Sequence, residues 1–232
     1  MNITTSSLTK AAGAAAAVAG SIFIAVQINH PSTESFTTET TEWVVRSCAK
    51  IVMSALALAG ITGMYLRQHR QAGVLGLIGY LLFAAGYLAI FSVEVIAATI
   101  LPALTDTNPG FVNDVVAAAA GGSPDGDIGS VQALFNANGI GYILGGLLFG
   151  IAMFRARVLA RWAAALLAIG TAGTAALAVL PESFNRPFAV PVGVALIGLG
   201  LSLWRNHRDD TASATATAST GSPSSVRQPA AR

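Results

Sequence analysis

Apolar residues fall in six long runs along the chain, and short polar segments separate them. None of these runs alternates apolar and polar positions as barrel strands do, so the pattern predicts helices. A helix needs about 20 apolar residues to cross the hydrocarbon core of a bilayer. The predicted spans are 11–28, 44–66, 72–101, 133–154, 162–180 and 188–204. The sequence therefore predicts an all-α, polytopic transmembrane helical bundle.

The first run could also belong to a secretory signal peptide, because it follows Lys10 and contains many small residues. However, its apolar stretch continues through "SIFIAV" beyond the small residues. A signal peptide has an apolar core of only about 7–15 residues. We therefore expect a retained helix.

Composition agrees with a bilayer as the surrounding solvent. Hydrophobic residues make up 53% of the chain and charged residues 10%, and the mean hydropathy is +0.63. A soluble domain carries about 25% charged residues. The net charge of +2 gives no indication of a nucleic-acid partner. The single cysteine, Cys48, excludes an intrachain disulfide, and its apolar neighbours predict a small buried side chain.

Basic residues predict how the chain crosses the membrane. Eight Lys and Arg residues fall on one side of the predicted spans and three on the other, with the distal tail excluded. The eight are Lys10, Arg67, Arg70, Arg155, Arg157, Arg161, Arg205 and Arg208, and the three are Arg46, Lys50 and Arg186. Because basic residues near span ends stay in the cytoplasm, both termini are predicted to be cytoplasmic. The polar segment 209–232 is predicted to be a disordered cytoplasmic tail.

The loop 104–132 is the longest predicted external segment. Its stretch "FVNDVVAAAA" predicts a short interfacial helix, and "GGSPDGDIG" predicts turns. Asp125 and Asp127 resemble the start of a calcium-binding loop. The remaining oxygen ligands of that pattern are absent from the sequence, so we predict no metal site.

Glycine is concentrated in the third and fourth predicted spans. The fourth reads "NGIGYILGGLLFG", in which Gly141 and Gly145 are four apart, as are Gly146 and Gly150. In lipid, small residues allow two helix backbones to approach closely and gain van der Waals contact. We expect these faces to pack against helices of the same chain or of a second copy.

Glu94 is the one acid in the apolar run 79–105, and its depth decides how it should be interpreted. At about 1.5 Å per residue, Glu94 lies about 36 Å along the helix from Arg70. Since the hydrocarbon core is about 30 Å thick, Glu94 belongs at the outer boundary. Other polar residues reach the same level by the same measure. The predicted ligand-binding residues are Gln27, Arg46, Lys50, Glu94, Asn136 and Asn138.

Two interpretations of this polar group remain open. Arg46 or Lys50 could form a structural ion pair with Glu94, because the second and third spans are predicted antiparallel neighbours. Alternatively, the group could form an outward-facing polar site for a lipid or another small ligand, since ionisable groups in a membrane bundle often mark functional sites. The metalloprotease, nucleophile-elbow and phosphate-loop motifs are absent from the sequence, which favours a non-enzymatic role without a cofactor.

The segment "FNANGIGYILGGLLFGIAMFRARVLARWAAALLAIG" resembles a family of multi-pass bacterial membrane proteins of unknown function. The resemblance rests on the Asn-X-Asn entry, the Gly-rich fourth span and the Arg-X-Arg turn. It implies an integral membrane bundle and carries no catalytic residues. We therefore expect a small-ligand or lipid binder or carrier. The alternative is a structural or regulatory subunit that packs through its fourth span against a homo-oligomeric or other membrane-protein partner.

Overall fold

The computed structural model describes residues 4–31, 36, 39–178, 180 and 185–220, with only the backbone described at 178, 185–186 and 206–220. The described residues form helices, turns and bends, without strands, so the all-α prediction is confirmed. In chain order the α-helices are α1 (Thr5–Ala25), α2 (Thr40–Thr99), α3 (Leu101–Leu104), α4 (Pro109–Ala119), α5 (Ser130–Ala156), α6 (Arg161–Gly173) and α7 (Asn185–Thr220). A 3-10 helix, Thr174–Ala178, extends α6.

Helix α2 is a hairpin of two antiparallel legs. Its helical backbone is interrupted at Gln68 and at Gly73, where φ is +60° and ψ is −157°. A residue with a Cβ rarely adopts this conformation, whereas glycine does so at little cost. The hydroxyls of Thr62 and Tyr80 lie 3.0 Å apart across the hairpin. We call residues 40–67 the first leg and residues 74–99 the second leg.

The long helices pack in a ring that follows the order of the chain. Helix α1 packs against the first leg, the second leg against α5, α5 against α6, and α6 against α7, which returns to α1. Apart from the contact of α7 with α1, which closes the ring, these contacts join long helices that follow one another in the chain. Short connections make antiparallel neighbours the simplest arrangement in such a bundle.

Glycine brings the second leg and α5 into backbone contact, as the sequence predicts. A Cβ on Gly86 would lie 2.6 Å from the backbone nitrogen of Tyr142, and one on Gly141 would lie 2.7 Å from that of Gly86. Farther along α5, Gly150 meets the backbone of α6 near Ala168. These glycines contact other helices of the same chain. The sequence left open whether they would do so or would contact a second copy.

Helices α3 and α4 form a roof over one end of the bundle. Asn108 caps α4 by accepting a hydrogen bond from the Phe111 amide, and Pro109 occupies the first turn. Val112 and Val115 of α4 are buried against Leu101. The predicted short helix is therefore present, and its apolar face covers the ends of the second leg and α5.

The turn after α4 is fixed to that helix by one carboxylate. Asp114 accepts hydrogen bonds from the backbone amides of Asp125, at 2.9 Å, and Gly126, at 3.2 Å. Asp127 accepts one from the amide of Gly129, at 2.7 Å. Both acids of the calcium-like sequence thus belong to a turn, and the Asp127 side chain organises that turn.

In the part of the chain that the structure describes, four helices are long and apolar enough to cross a membrane: α1, α2, α5 and the segment Pro187–Arg205 of α7. The helix Arg161–Leu177 is apolar but shorter. The helical backbone of α7 continues to Thr220, within the segment predicted to be a disordered tail, and residues 221–232 lie outside the described part. Cys48 is exposed on the first leg, so the prediction of a buried cysteine is wrong. It occupies a helix face directed away from the bundle.

The glycine contact can be tested with two alanine variants on the same helix. We expect Gly141→Ala to destabilise the protein by about 1–3 kcal/mol, because the added methyl group must separate two backbones. Gly139→Ala is the control, since a Cβ there meets no atom within 4 Å. Unfolding by SDS in mixed micelles, followed by circular dichroism, measures both. Equal stabilities would contradict the proposed backbone contact.

Candidate functional site

The roofed end of the bundle encloses a cavity of about 200 Å³. The two legs, α4 and α5 provide most of its lining, and the segment after α1 contributes His30 and Phe36. An engineered cavity of about 150 Å³ in another protein is large enough to bind benzene. We call this space the outer cavity. It is large enough for a small organic molecule.

An ion pair between the two legs lies at the cavity wall. The Lys50 ammonium is 3.0 Å from Oε1 of Glu94, and both residues line the outer cavity. Their side chains are only 17% and 13% exposed, so water screens this pair less than a surface pair. The sequence predicts a pair between Glu94 and either Lys50 or Arg46, and the structure selects Lys50.

The first leg presents a polar stripe to the cavity. Trp43, Ser47 and Lys50 all line it, at a spacing that places them on one helix face. The Lys50 ammonium lies 5.9 Å from the centre of the Trp43 ring, within range of a cation–π interaction. Ser47 is 1% exposed. Among the residues that the structure describes, the Ser47 hydroxyl and the Trp43 indole nitrogen are buried without a hydrogen-bonding partner.

The remaining wall is mainly apolar. Its side chains come from the second leg, the roof and the start of α5, and they include Ile96, Val115, Val131 and Phe135. Asn138, one turn after Phe135, adds an amide to this wall. The outer cavity therefore combines a cluster of polar groups with a larger apolar surface. This combination is typical of sites for small organic ligands.

Arg46 has a different role from the predicted one. Its guanidinium donates hydrogen bonds to the carbonyls of Val26 at 2.9 Å, Ile28 at 3.0 Å and Asn29 at 2.9 Å, and its Nε donates to Glu42 at 3.0 Å. The last carbonyls of a helix have no partner within it. Arg46 supplies those partners where α1 ends, and it does not line the outer cavity.

Two further predicted residues also lie outside the cavity lining. Gln27 belongs to the turn that follows α1, where its backbone N–H donates to the carbonyl of Ile24, and it does not line the cavity. The Asn136 side chain is exposed and accepts a hydrogen bond from Gln132, one turn earlier on α5. Depth along a helix places these residues at the right level, but it does not give the direction of their side chains. The structure thus brings together Lys50, Glu94 and Asn138.

Sequence reasoning missed Trp43 and Ser47 as members of this site. Trp43 has the position of an interfacial anchor, and a single serine in an apolar run has no distinctive pattern. Their spacing from Lys50, by seven and three residues, is the signal that could have identified them.

Comparisons with known proteins give no match to a family model, a curated protein or a solved structure. The resemblance to multi-pass bacterial membrane proteins therefore stays a prediction. Function is therefore inferred from the outer cavity itself.

The role of Arg46 is tested by a substitution that keeps its charge. We expect Arg46→Lys to destabilise the protein by about 1–3 kcal/mol, because an ammonium cannot reproduce the planar fork that reaches three carbonyls and a carboxylate. Arg70→Lys, at an exposed position, is the control and should stay within about 0.5 kcal/mol. SDS unfolding in mixed micelles measures both. If Arg46→Lys left stability unchanged, the helix-capping role would be wrong.

Proposed function

We propose that this chain is an integral membrane protein that binds a small amphipathic molecule in its outer cavity, as a binder or carrier. The observation that carries the proposal is the Lys50–Glu94 pair at the wall of a 200 Å³ cavity with a mainly apolar lining. Purely structural pairs are best stabilised by close packing and further hydrogen bonds. Here the pair borders open space instead.

The roof supports the same proposal. Helix α4 packs its apolar face over the cavity through Val115, while Asp114 holds the following turn. Loops that cover a cavity commonly control access to a bound molecule. A ligand from the outer leaflet or from the surrounding water would have to pass the edge of this roof.

The alternative, a structural or regulatory subunit that packs through the Gly-rich fourth span, has less support. The glycines that suggest it, Gly141, Gly145, Gly146 and Gly150, all face neighbouring helices of the same chain. A partner would therefore need a different surface. Gly139 is the glycine of this helix that has open space beside it.

The proposed threading has six spans with both termini cytoplasmic. Helix α6 and its 3-10 extension reach about 30 Å together, because a 3-10 helix rises by about 2.0 Å per residue, and this length matches the hydrocarbon core. The charge bias supports the orientation. Arg46 and Lys50, two of the three basic residues on the proposed outer side, have acidic partners in Glu42 and Glu94.

Cysteine labelling tests this threading. In a Cys48→Ser background, we expect Asp125→Cys to react with a membrane-impermeant maleimide added to intact cells. Arg157→Cys should react only after the membrane is permeabilised. Both positions are exposed, so a difference between them reports the side of the membrane and not burial. Labelling of Arg157→Cys in intact cells would reverse the proposed orientation.

The variant Glu94→Gln tests whether the Lys50–Glu94 pair belongs to a ligand site or is mainly structural. If the pair is mainly structural, the variant leaves an uncompensated buried charge and should lose about 3–5 kcal/mol of stability. We expect a loss of less than about 1.5 kcal/mol, since Lys50 borders the cavity and its ammonium also lies within cation–π range of the Trp43 ring. We also expect weaker retention of a bound molecule. Loss of stability with unchanged retention would contradict the proposal.

Retention is measured by mass spectrometry. The purified protein is incubated with a total extract of its own membranes, isolated again and extracted with organic solvent. Ala97→Phe fills the cavity and should abolish the enrichment of any specifically bound molecule, because Ala97 lines the wall. Ala85→Phe, at an exposed position on the same leg, is the matched control and should retain the molecule. Identical extracts from both variants would count against a site in this cavity.

A further inference from the structure

Two residues that line the outer cavity, Trp43 and Ser47, carry buried hydrogen-bond donors that indicate what a ligand could offer. Within the described part of the chain, the indole N–H of Trp43 is buried without a partner, as is the hydroxyl of Ser47. An indole can only donate, and a hydroxyl can both donate and accept. Burying a donor without a partner is unfavourable, because the donor has lost its hydrogen bond to water. A ligand that accepts a hydrogen bond from Trp43 would remove that cost.

The charged residues at the cavity wall also limit the charge that the polar head group of a ligand can carry. Lys50 and Glu94 neutralise each other at 3.0 Å. Taking a carboxylate or an ammonium out of water without an opposite charge is expensive. An anionic ligand would have to compete with Glu94 for Lys50, and a cationic one would compete with Lys50 for Glu94. A neutral acceptor avoids both conflicts and leaves the ion pair intact.

The apolar wall and the volume of the outer cavity indicate the size and the apolar character of the rest of the ligand. Ile96, Leu101, Val115 and Phe135 offer contact to a hydrocarbon group. By comparison with a benzene-sized cavity of about 150 Å³, this one holds about eight to ten non-hydrogen atoms. This size matches a short chain, or the part of a longer lipid that carries its ester.

We propose that the outer cavity binds a neutral molecule with a carbonyl or ester head and a short apolar chain, and that the head accepts hydrogen bonds from Trp43 and Ser47. This inference rests on the proposed function and specifies the ligand class. Lys50 and Glu94 remain paired beneath the head and add a local dipole. The apolar chain lies against the roof and the start of α5.

Nuclear magnetic resonance of the indole N–H groups tests the proposal on the full chain in lipid nanodiscs. The protein has three tryptophans, so its ¹⁵N spectrum contains few indole signals, and Trp43→Phe assigns the one in the cavity. Four probes of similar size are titrated: methyl hexanoate, heptanoate, heptylammonium and octane. We expect methyl hexanoate to shift the Trp43 indole proton downfield and to saturate at a concentration about tenfold below the other three. Trp162 and Trp204, at the opposite end of the bundle, are internal references.

The outcomes separate the ligand class from the proposed function. Preferred binding of heptanoate or heptylammonium would overturn the neutral-head inference while preserving a ligand site in the cavity. Equal binding of octane and methyl hexanoate would show that the unpaired donors do not select the ligand. If none of the four probes shifts Trp43, both the ligand class and its proposed site are wrong.

A pair of serine variants tests the donors directly. Ser47→Ala should weaken methyl hexanoate binding by about threefold to tenfold and leave octane binding unchanged, because one hydrogen bond contributes about 0.5–1.5 kcal/mol. Ser54→Ala is the matched control. Ser54 is equally buried one heptad further along the first leg, but its hydroxyl donates to the carbonyl of Lys50 and it does not line the cavity. Equal effects of the two variants would contradict a specific role for Ser47.

Discussion

Close backbone approach through small residues is the constraint on which this bundle depends. Lipid is as apolar as leucine, so two helices in a bilayer gain little by burying hydrocarbon against each other. The second leg and α5 gain contact where Gly86 meets Gly141, and α1 and α7 do so where Gly13 meets Gly200. These glycine contacts hold two pairs of helices together on different sides of the ring.

The cavity lies beyond the end of the glycine contact between the second leg and α5. Direct contact between the second leg and α5 includes Gly86 and Gly141, but Gly139 has no atom near its missing side chain. One to two turns beyond the contact, Glu94 and Asn138 line open space. Beyond the glycine contact the two helices carry larger side chains, and Val93, Glu94, Phe135 and Asn138 line the cavity there. The space between them is closed by α4, whose apolar face would otherwise be exposed.

The sequence was sufficient for features that depend on local pattern or on distance along a helix. It predicted the all-α class, the short interfacial helix and a pair between Glu94 and one of two bases four residues apart. It could not choose between Arg46 and Lys50, because that choice depends on where α1 ends. Asn29 adopts a positive φ of 49° after that helix, and the carbonyls around it attract Arg46. Lys50, one turn farther into the bundle, is left to pair with Glu94.

The cavity itself was beyond sequence reasoning for a related reason. Its lining comes from the two legs, α3, α4, α5 and the segment after α1, and the way these elements pack has no period that can be read along the chain. Gln27 and Asn136 reach the correct depth but lie outside the lining, whereas Ser47 carries no signal by itself. What distinguishes these residues is the direction in which each side chain leaves its helix. Packing in three dimensions fixes that direction.

The structural and ligand-binding interpretations of the ion pair need not compete. Lys50 and Glu94 connect the outer parts of the two legs, so the pair can help to hold the hairpin closed. In the proposed function the same pair also keeps the cavity electrically neutral, which allows an uncharged ligand to enter without displacing a charge. Trp43 contributes to both roles, since its ring faces the Lys50 ammonium while its N–H is left for another acceptor. In this proposal, one set of residues both stabilises the protein and defines the chemistry of its ligand.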